Sequence, residues 1–256
     1  MDVLLLANNS PGLQVAEYLR AQGERIVGLG IHAPEKQRLT QEIIAAAGVS
    51  PDRIFEGPAL RKASTVEMIR AWKPEIIVGA FWGYILKPDV IEIPPAGCIN
   101  MHPGYLPYNR GMNPNVWPIV ERTPAGVTIH YVDPGIDTGD IIARREVPVL
   151  PTDTGGTLYD RTLVEIVDLF KEIWPSIRNG TAPRVPQEGH LATHHRAADV
   201  DGLDHLDLDA PTTARDVLNR IRARTYDDRT YAYFEEDGRR IYVSVALSES
   251  RERSHH

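Results

Sequence analysis

The sequence contains little cysteine and no long apolar run. Cys98 is the only cysteine among 256 residues, which excludes a disulfide framework within one chain. It lies in the apolar run Gly-Cys-Ile-Asn, which favours a small core residue over a nucleophile, because reactive thiols need a cationic or helix-terminal setting. No window approaches about 18 apolar residues, which argues against a membrane-spanning helix. The first residues lack the basic region of a signal peptide, so we expect a reduced, cytoplasmic location.

Several motifs that mark cofactor sites are also missing. The first apolar run ends in Ala-Asn-Asn-Ser-Pro-Gly, not in the Gly-x-Gly-x-x-Gly of dinucleotide-binding domains. No Cys-x-x-Cys, His-Glu-x-x-His or phosphate-loop pattern occurs. The histidines between residues 190 and 205 lie in a polar stretch without the spacing of a ligand set, so we predict no metal. A net charge of −7 argues against broad contact with nucleic acid.

Apolar runs and helical patterns alternate along the first two thirds of the chain. Continuous apolar runs at 3–9, 25–31 and 75–81 are typical of strands buried on both faces of a parallel sheet. A strand at 97–102 follows, and then two strands at 126–132 and 139–147 that are close enough to pair as antiparallel neighbours. Apolar residues at helical spacing predict a long helix from residue 158 to 174. These patterns predict an α/β, Rossmann-like domain with a mostly parallel sheet.

The character of the sequence changes after residue 182. Residues 183–210 are polar, rich in Asp and His, and read as a crossing loop or linker. A short helix over 213–224 follows a threonine cap. Residues 229–247 predict a β-hairpin around the two-residue turn Asp237-Gly238. We therefore expect a catalytic domain over 1–182, the linker 183–210, a helix–hairpin unit over 211–247 and a tail over 248–256, whose Ser-His-His end receives no function.

The stretch from Cys98 to Asp140 carries most of the chemistry. Asn100 and His102 end an apolar strand two residues apart, so their side chains face the same side of the sheet. Ligands bind at the carboxyl ends of strands in open α/β sheets. An imidazole can exchange protons near neutral pH, and an amide can donate a hydrogen bond to an oxyanion. The turn Asp-Pro-Gly-Ile-Asp-Thr-Gly adds Asp137 and Asp140, which compete for a third role, and the set suits acyl transfer to an amine.

This stretch resembles the folate-dependent formyltransferase family, whose signature is Asn-x-His, a Leu-Pro loop and Asp-x-Gly. The resemblance implies catalytic roles for Asn100, His102 and Asp137, and it favours Asp137 over Asp140, which opens the next strand. We expect the nearby carboxylate to raise the pKa of His102. Gly104-Tyr105 stands where the commoner family form has Ser-Leu, and a cis bond is plausible at Leu106-Pro107.

The resemblance also implies the co-substrate 10-formyltetrahydrofolate and no metal. In this family, the loop that matches residues 81–87 lines the slot for the pterin. On sequence alone, a core loop with amphipathic aromatics is an equal alternative. The residues predicted to contact the folate are Phe81, Trp82, Tyr84, Ile85, Leu86, Asp133 and Ile136.

The whole chain looks most like the small N-formyltransferases that act on dTDP- or GDP-linked sugars. This likeness implies that the acceptor is the exocyclic amine of an amino-deoxysugar, such as a dTDP-4-amino-4,6-dideoxyhexose, in cell-surface polysaccharide biosynthesis. Guanidinium groups suit a pyrophosphate and tyrosines can stack on a base, although each of the tail residues also reads as a surface or packing residue. The residues predicted to bind this substrate are Tyr105, Arg110, Asn113, Asn115, Arg222, Arg224 and Tyr226.

Other interpretations of function and assembly stay open. The alternative acceptors are another small amine, such as glycinamide ribonucleotide, or water, and a non-catalytic nucleotide-sugar-binding protein is the alternative outside enzymes. A tRNA acceptor fits poorly with the acidic balance and with the lack of the barrel-like domain expected of the tRNA enzyme. No membrane or nucleic-acid partner is predicted. Because a lone hairpin is marginal in water, we expect the hairpin at 230–247 to pack with the helix at 212–224 across the two-fold axis of a homodimer, or else on its own core.

Overall fold

The described residues form eleven strands and eight α-helices, together with five short 3₁₀-helices. The computed structural model describes residues 1–249, so most of the predicted tail, including Ser-His-His, lies outside the described part. The strands are β1 (Asp2–Ala7), β2 (Arg25–Ile31), β3 (Ile54–Glu56), β4 (Ile76–Ala80), β5 (Cys98–His102), β6 (Arg110–Gly111), β7 (Gly126–Tyr131), β8 (Ile141–Glu146), β9 (His194–His195), β10 (Tyr233–Glu236) and β11 (Arg239–Tyr242). The helices are α1 (Asn9–Ala21), α2 (Thr40–Ala47), α3 (Ala63–Trp72), α4 (Pro88–Ile91), α5 (Trp117–Glu121), α6 (Gly155–Arg178), α7 (Asp201–Asp204) and α8 (Ala214–Ala223).

Seven of these strands form one twisted sheet in the order β3-β2-β1-β4-β5-β7-β8. The first five are parallel, and β7 runs antiparallel to both of its neighbours. The predicted Rossmann-like α/β fold is therefore confirmed, and so is the antiparallel pair at its end. The sequence patterns missed β3, because three residues at a sheet edge carry too little periodicity to detect.

Successive side chains of β1 point to opposite faces of the sheet and pack into two layers of the core. Val3, Leu5 and Ala7 pack with one cluster on one face, and Leu4 and Leu6 pack with another on the opposite face. α1 and α6 cover the first face, and α3 covers the second. A strand buried on both faces needs apolar residues at every position, which explains the continuous apolar run.

The long helix α6 starts at a capping box. The hydroxyl of Thr154 accepts from the backbone N–H of Thr157, and the hydroxyl of Thr157 accepts from the backbone N–H of Thr154. Phe170 and Trp174 lie on the buried stripe, as the helical spacing predicted. The helix spans Gly155–Arg178, about one turn further at each end than the apolar pattern predicted at 158–174. No helix within residues 1–249 combines the length and apolarity that a membrane crossing requires.

The last part of the described chain folds back onto its own core. The N–H of Gly156, at the start of α6, donates to the carbonyl of Thr225 just after α8. The hairpin of β10 and β11 turns at Asp237 and Gly238, both with positive φ, as the two-residue turn requires. Its ladder is shorter than the predicted range 229–247. Its registered pairs are Tyr233 with Tyr242, Phe234 with Ile241, Glu235 with Arg240 and Glu236 with Arg239.

Candidate active site

Three polar side chains meet where β5 and β7 pair. Asn100 and His102 lie on the same face of β5 and line a common cavity. The antiparallel register places His130 of β7 directly opposite Asn100, and its Nε2 lies 3.4 Å from the Asn100 amide nitrogen. Sequence reasoning missed His130. The available signal was a histidine in an otherwise apolar strand, but only the register shows which residue it faces.

The orientation of His102 is set by the loop that follows it. Its Nε2–H donates to the backbone carbonyl of Asn109 at 3.1 Å, so in the neutral ring the Nδ1 atom carries the lone pair. Asn109 has a φ of 58°, and its buried side chain donates to Thr123 and to the Pro124 carbonyl. The left-handed backbone of Asn109 therefore aims its carbonyl at the ring.

Asp137 faces both histidines from the turn between β7 and β8. Its Oδ2 lies 3.5 Å from His102 Nδ1, and its Oδ1 lies 3.5 Å from His130 Nε2. The backbone N–H of Gly111 donates to Oδ2 at 2.9 Å. Burial alone raises the pKa of the Asp137 carboxyl, but the two histidines and the Gly111 N–H outweigh it and hold that pKa well below its usual value. Asp137 is therefore ionised at neutral pH.

The expectation of a raised pKa for His102 is wrong. Burial lowers the pKa of its imidazole below the usual value, and the neighbouring His130 lowers it further. Asp137 and the hydrogen bond to Asn109 act in the predicted, raising direction but do not compensate for burial. His102 is therefore neutral at neutral pH, with its Nδ1 free to accept a proton beside an ionised carboxylate.

A cavity of about 640 Å³ opens over these side chains. One wall is the loop after β4, where the rings of His32, Trp82 and Tyr84 meet edge to face or tilted. The Tyr84 hydroxyl accepts from the backbone N–H of Ala33 at 3.0 Å, which fixes this wall. All seven predicted folate contacts line the cavity: Phe81, Trp82, Tyr84, Ile85, Leu86, Asp133 and Ile136. Asn8, directly after β1, and His32, directly after β2, line it too, although the sequence analysis assigns neither residue a role.

The residues predicted to bind the acceptor substrate divide into two groups. Asn113 and Asn115 line the cavity, and the Asn115 amide donates to the Gly155 carbonyl and to the Tyr226 hydroxyl. The other five, which are absent from its described lining, are Tyr105, Arg110, Arg222, Arg224 and Tyr226.

Each of the three arginines in that second group binds other groups of the chain. Arg110 is buried and donates to the Gln187 amide oxygen. Arg222 donates to backbone carbonyls around Asp153, and Arg224 pairs with Asp204 at 2.5 Å. Sequence alone could not reveal this, because it does not show whether a guanidinium is already bound.

Cys98 and the Leu106-Pro107 bond behave as the sequence indicated. Cys98 is buried in the core, and burial raises the pKa of its thiol to about 12, which removes it as a nucleophile. The Leu106-Pro107 bond is cis. The buried hydroxyl of Thr128 holds this loop by donating to the Gly104 carbonyl and accepting from the Leu106 N–H.

The carboxyl edge of the sheet carries an amide, a neutral imidazole and an ionised carboxylate. This arrangement defines an α/β protein equipped for acyl transfer. The chain belongs to the formyl transferase family, whose N-terminal domain matches residues 11–172. Residues 199–249 match a second family domain, the N-formyltransferase dimerization C-terminal domain.

Similar proteins include enzymes with two kinds of acceptor. Over 217 residues, or 84% of this chain and 68% of the relative, it is 32% identical to a methionyl-tRNA formyltransferase of Syntrophus aciditrophicus. Over 153 residues, or 59% of this chain and 64% of the relative, it is 40% identical to a dTDP-4-amino-4,6-dideoxyglucose formyltransferase of Mycobacterium bovis. The chain thus spans about two thirds of the length of these two curated relatives.

A solved structure from Anoxybacillus kamchatkensis resembles this fold with a TM-score of 0.58 and 30% identity. The likeness covers 86% of this chain and 97% of the other. That formyltransferase was crystallised in complex with UDP-4,6-dideoxy-4-formamido-L-AltNAc and tetrahydrofolate.

Proposed function

We propose that this protein transfers a formyl group from 10-formyltetrahydrofolate to the exocyclic amine of a nucleotide-linked amino-deoxysugar, such as a dTDP-4-amino-4,6-dideoxyhexose. The observation that carries the proposal is that Asn100, His102 and Asp137 converge in one cavity whose wall includes all seven predicted folate contacts. The apolar, aromatic loop at 81–86 fits a flat pterin. The ligands of the Anoxybacillus structure and the match of residues 199–249 support the same acceptor class.

The proposed mechanism gives roles to Asn100, His102 and Asp137. The folate, when bound, supplies the formyl carbon that the neutral amine attacks. Asn100 donates its amide N–H to the oxyanion that develops on the formyl oxygen. His102 Nδ1 accepts the proton that the amine loses, and Asp137 stabilises the imidazolium. His102 then returns this proton to the leaving nitrogen, so that the amide product and tetrahydrofolate are formed and His102 is neutral again.

Assembly and domain limits are part of the proposal. We place the catalytic domain at 1–182, the linker at 183–210 and the helix–hairpin unit at 211–247, and we propose a homodimer formed through that last unit. The support is the match of residues 199–249 to a dimerization domain. The cytoplasmic location stays a prediction.

A second acceptor is considered because of a specific similarity. The Syntrophus relative is a methionyl-tRNA formyltransferase, so aminoacyl-tRNA is the alternative. The amino sugar is favoured because residues 199–249 match the N-formyltransferase C-terminal domain.

The test is an acceptor panel with 10-formyltetrahydrofolate as donor. The panel holds dTDP-, UDP- and GDP-linked amino-deoxysugars, glycinamide ribonucleotide, methionyl-tRNA and a buffer-only reaction that reports hydrolysis. Mass spectrometry is expected to show the gain of one formyl group on a nucleotide sugar, with equal release of tetrahydrofolate. Formylation of methionyl-tRNA alone would show that the acceptor is the tRNA. Folate hydrolysis without a formylated product would show that it is water. The Asn100→Ala variant is the matched inactive control.

A further inference from the structure

One arginine on the cavity wall has no role in the proposed mechanism. Arg196 is the only lysine or arginine that lines the cavity within residues 1–249. Its side chain is 90% exposed, so the guanidinium lies in solvent at the cavity mouth. The cavity is also bordered by Asp133 and Asp137, which repel a phosphate. The charge along the cavity therefore favours an anionic group at Arg196.

The backbone at Arg196 is fixed, whereas its side chain is free to move. The His195 carbonyl accepts from the N–H of Met112 at 2.9 Å, and the His195 ring stacks on Trp117 at 3.9 Å. The N–H of Arg196 donates to the Asp199 carboxylate at 2.6 Å. Within the described residues, the guanidinium contacts only that same carboxylate, at 3.3 Å. An exposed pair of this kind contributes little stability, so the side chain can turn toward a ligand at low cost.

Arg196 directly follows β9, and β9 pairs with β6 beside Asp137. β6 and β9 pair so that Gly111 is opposite His195, one strand spacing of about 4.8 Å away. The N–H of Gly111 binds the Asp137 carboxylate. His102, residues 111–113 and Arg196 all line the same cavity, so one acceptor can contact both His102 and Arg196.

We propose that Arg196 binds the diphosphate of the nucleotide-linked acceptor, an assignment that rests on the proposed function. A guanidinium donates in a planar fork to two phosphate oxygens, which suits a diphosphate better than a point charge does. The arginines first predicted for this role, Arg110, Arg222 and Arg224, each already donate to other groups of the chain.

Calorimetric titration of the full chain with thymidine diphosphate and uridine diphosphate tests the assignment. We expect Arg196→Gln to weaken binding of the nucleoside diphosphate that the wild type binds by about tenfold to a hundredfold, since it removes a charge-assisted hydrogen bond. The affinity of Arg196→Lys is expected to lie between those of the wild type and Arg196→Gln, because lysine keeps the charge but cannot donate two parallel hydrogen bonds. The matched control is Arg70→Gln, which removes an arginine from a similar exposed pair, with Glu67, away from the cavity lining.

Three outcomes separate the assignment from the function on which it rests. Weaker diphosphate binding in Arg196→Gln, with unchanged binding of tetrahydrofolate, supports the assignment. Unchanged diphosphate binding in Arg196→Gln overturns it and leaves the proposed function standing. A wild-type protein that binds tetrahydrofolate but neither diphosphate, and formylates no nucleotide sugar, overturns both.

Discussion

At the scale of single residues, opposing effects set the proton affinity of His102. Burial lowers its pKa and Asp137 raises it, with a net decrease. A general base must be neutral, so activity falls as the pH drops through that pKa. We expect the acid limb of kcat/KM to have its midpoint below about 6.5, the usual value for histidine. In Asp137→Asn the midpoint should move lower still, because the raising charge is gone. A pH–rate profile, or an NMR titration of the imidazole, checks both expectations, and a higher midpoint in the variant contradicts them.

The carboxylate assignment can be tested by comparing three alanine substitutions. We expect His102→Ala and Asp137→Ala each to lower kcat by at least about 10²-fold, as loss of acid–base catalysis does. Asp140→Ala should have a much smaller effect, because its described contact is a backbone carbonyl that accepts from the Tyr131 N–H. Steady-state kinetics on folded variants decides. If Asp140→Ala is the more damaging change, the choice of Asp137 is wrong.

Gly104 stands where the commoner family form has serine, and the adjacent His102 ring leaves little room for a side chain there. A Cβ atom on Gly104 would lie 2.5 Å from His102 Nε2, so a side chain displaces the imidazole. We expect Gly104→Ala to reduce kcat by about tenfold to a hundredfold, the cost of a small misplacement of a catalytic group. The control is Gly202→Ala, where the added Cβ meets no atom within 4 Å. Equal kcat in the two variants would show that His102 adapts without loss.

The residues that could be predicted from sequence are those that a local motif contains. The sequence could place Asn100 and His102 together because they share a strand, and Asp137 is favoured over Asp140 because it matches the family's Asp-x-Gly turn. His130 was missed because its proximity depends on the register between β5 and β7. The pKa direction of His102 was wrong because sequence shows the neighbouring charge but not the depth of burial.

At the scale of elements, the segment predicted as a linker holds the active-site turn in place. The Gln187 amide donates to the carbonyls of Asp137 and Gly139, and its oxygen accepts from Arg110. Asp137 has a φ of 52°, a conformation that a non-glycine residue keeps only where its surroundings hold it. Contacts between a side chain and a distant backbone leave no periodic pattern, so the sequence could not show this function of 183–210.

This arrangement predicts a positioning role for Gln187. We expect Gln187→Leu to lower kcat by about tenfold to a hundredfold with little change in KM, because the Asp137 carboxylate loses its fixed position. The acid limb of kcat/KM should also move to lower pH, which a mere loss of folded protein does not cause. The neighbouring exposed substitution Glu188→Gln serves as the control. A reduced kcat with an unmoved acid limb would indicate a structural role only.

At the scale of the whole molecule, the described chain leaves apolar side chains exposed in its C-terminal unit. Ile241 and Tyr242 of β11 are 39% and 56% exposed, and Leu218 of α8 is exposed as well. The hairpin register places Ile241 opposite Phe234 on one face and Tyr242 opposite Tyr233 on the other. Part of the hairpin packs on its own chain, since Tyr233 contacts His205 and its carbonyl accepts from the Leu206 N–H. The remaining apolar surface, in a segment that matches a dimerization domain, favours a second copy as its partner.

The homodimer is tested by its mass and by one matched pair of substitutions. We expect light scattering at micromolar concentration to give twice the mass of one 28.6 kDa chain. Ile241→Glu should shift the protein toward the single-chain mass, because it places a charge within the proposed two-fold interface. Val164→Glu is the control, since Val164 is 59% exposed on α6, outside the C-terminal unit. A wild-type mass of one chain removes the dimer. A dimer that tolerates Ile241→Glu but separates in Val164→Glu keeps the assembly and moves its interface to α6.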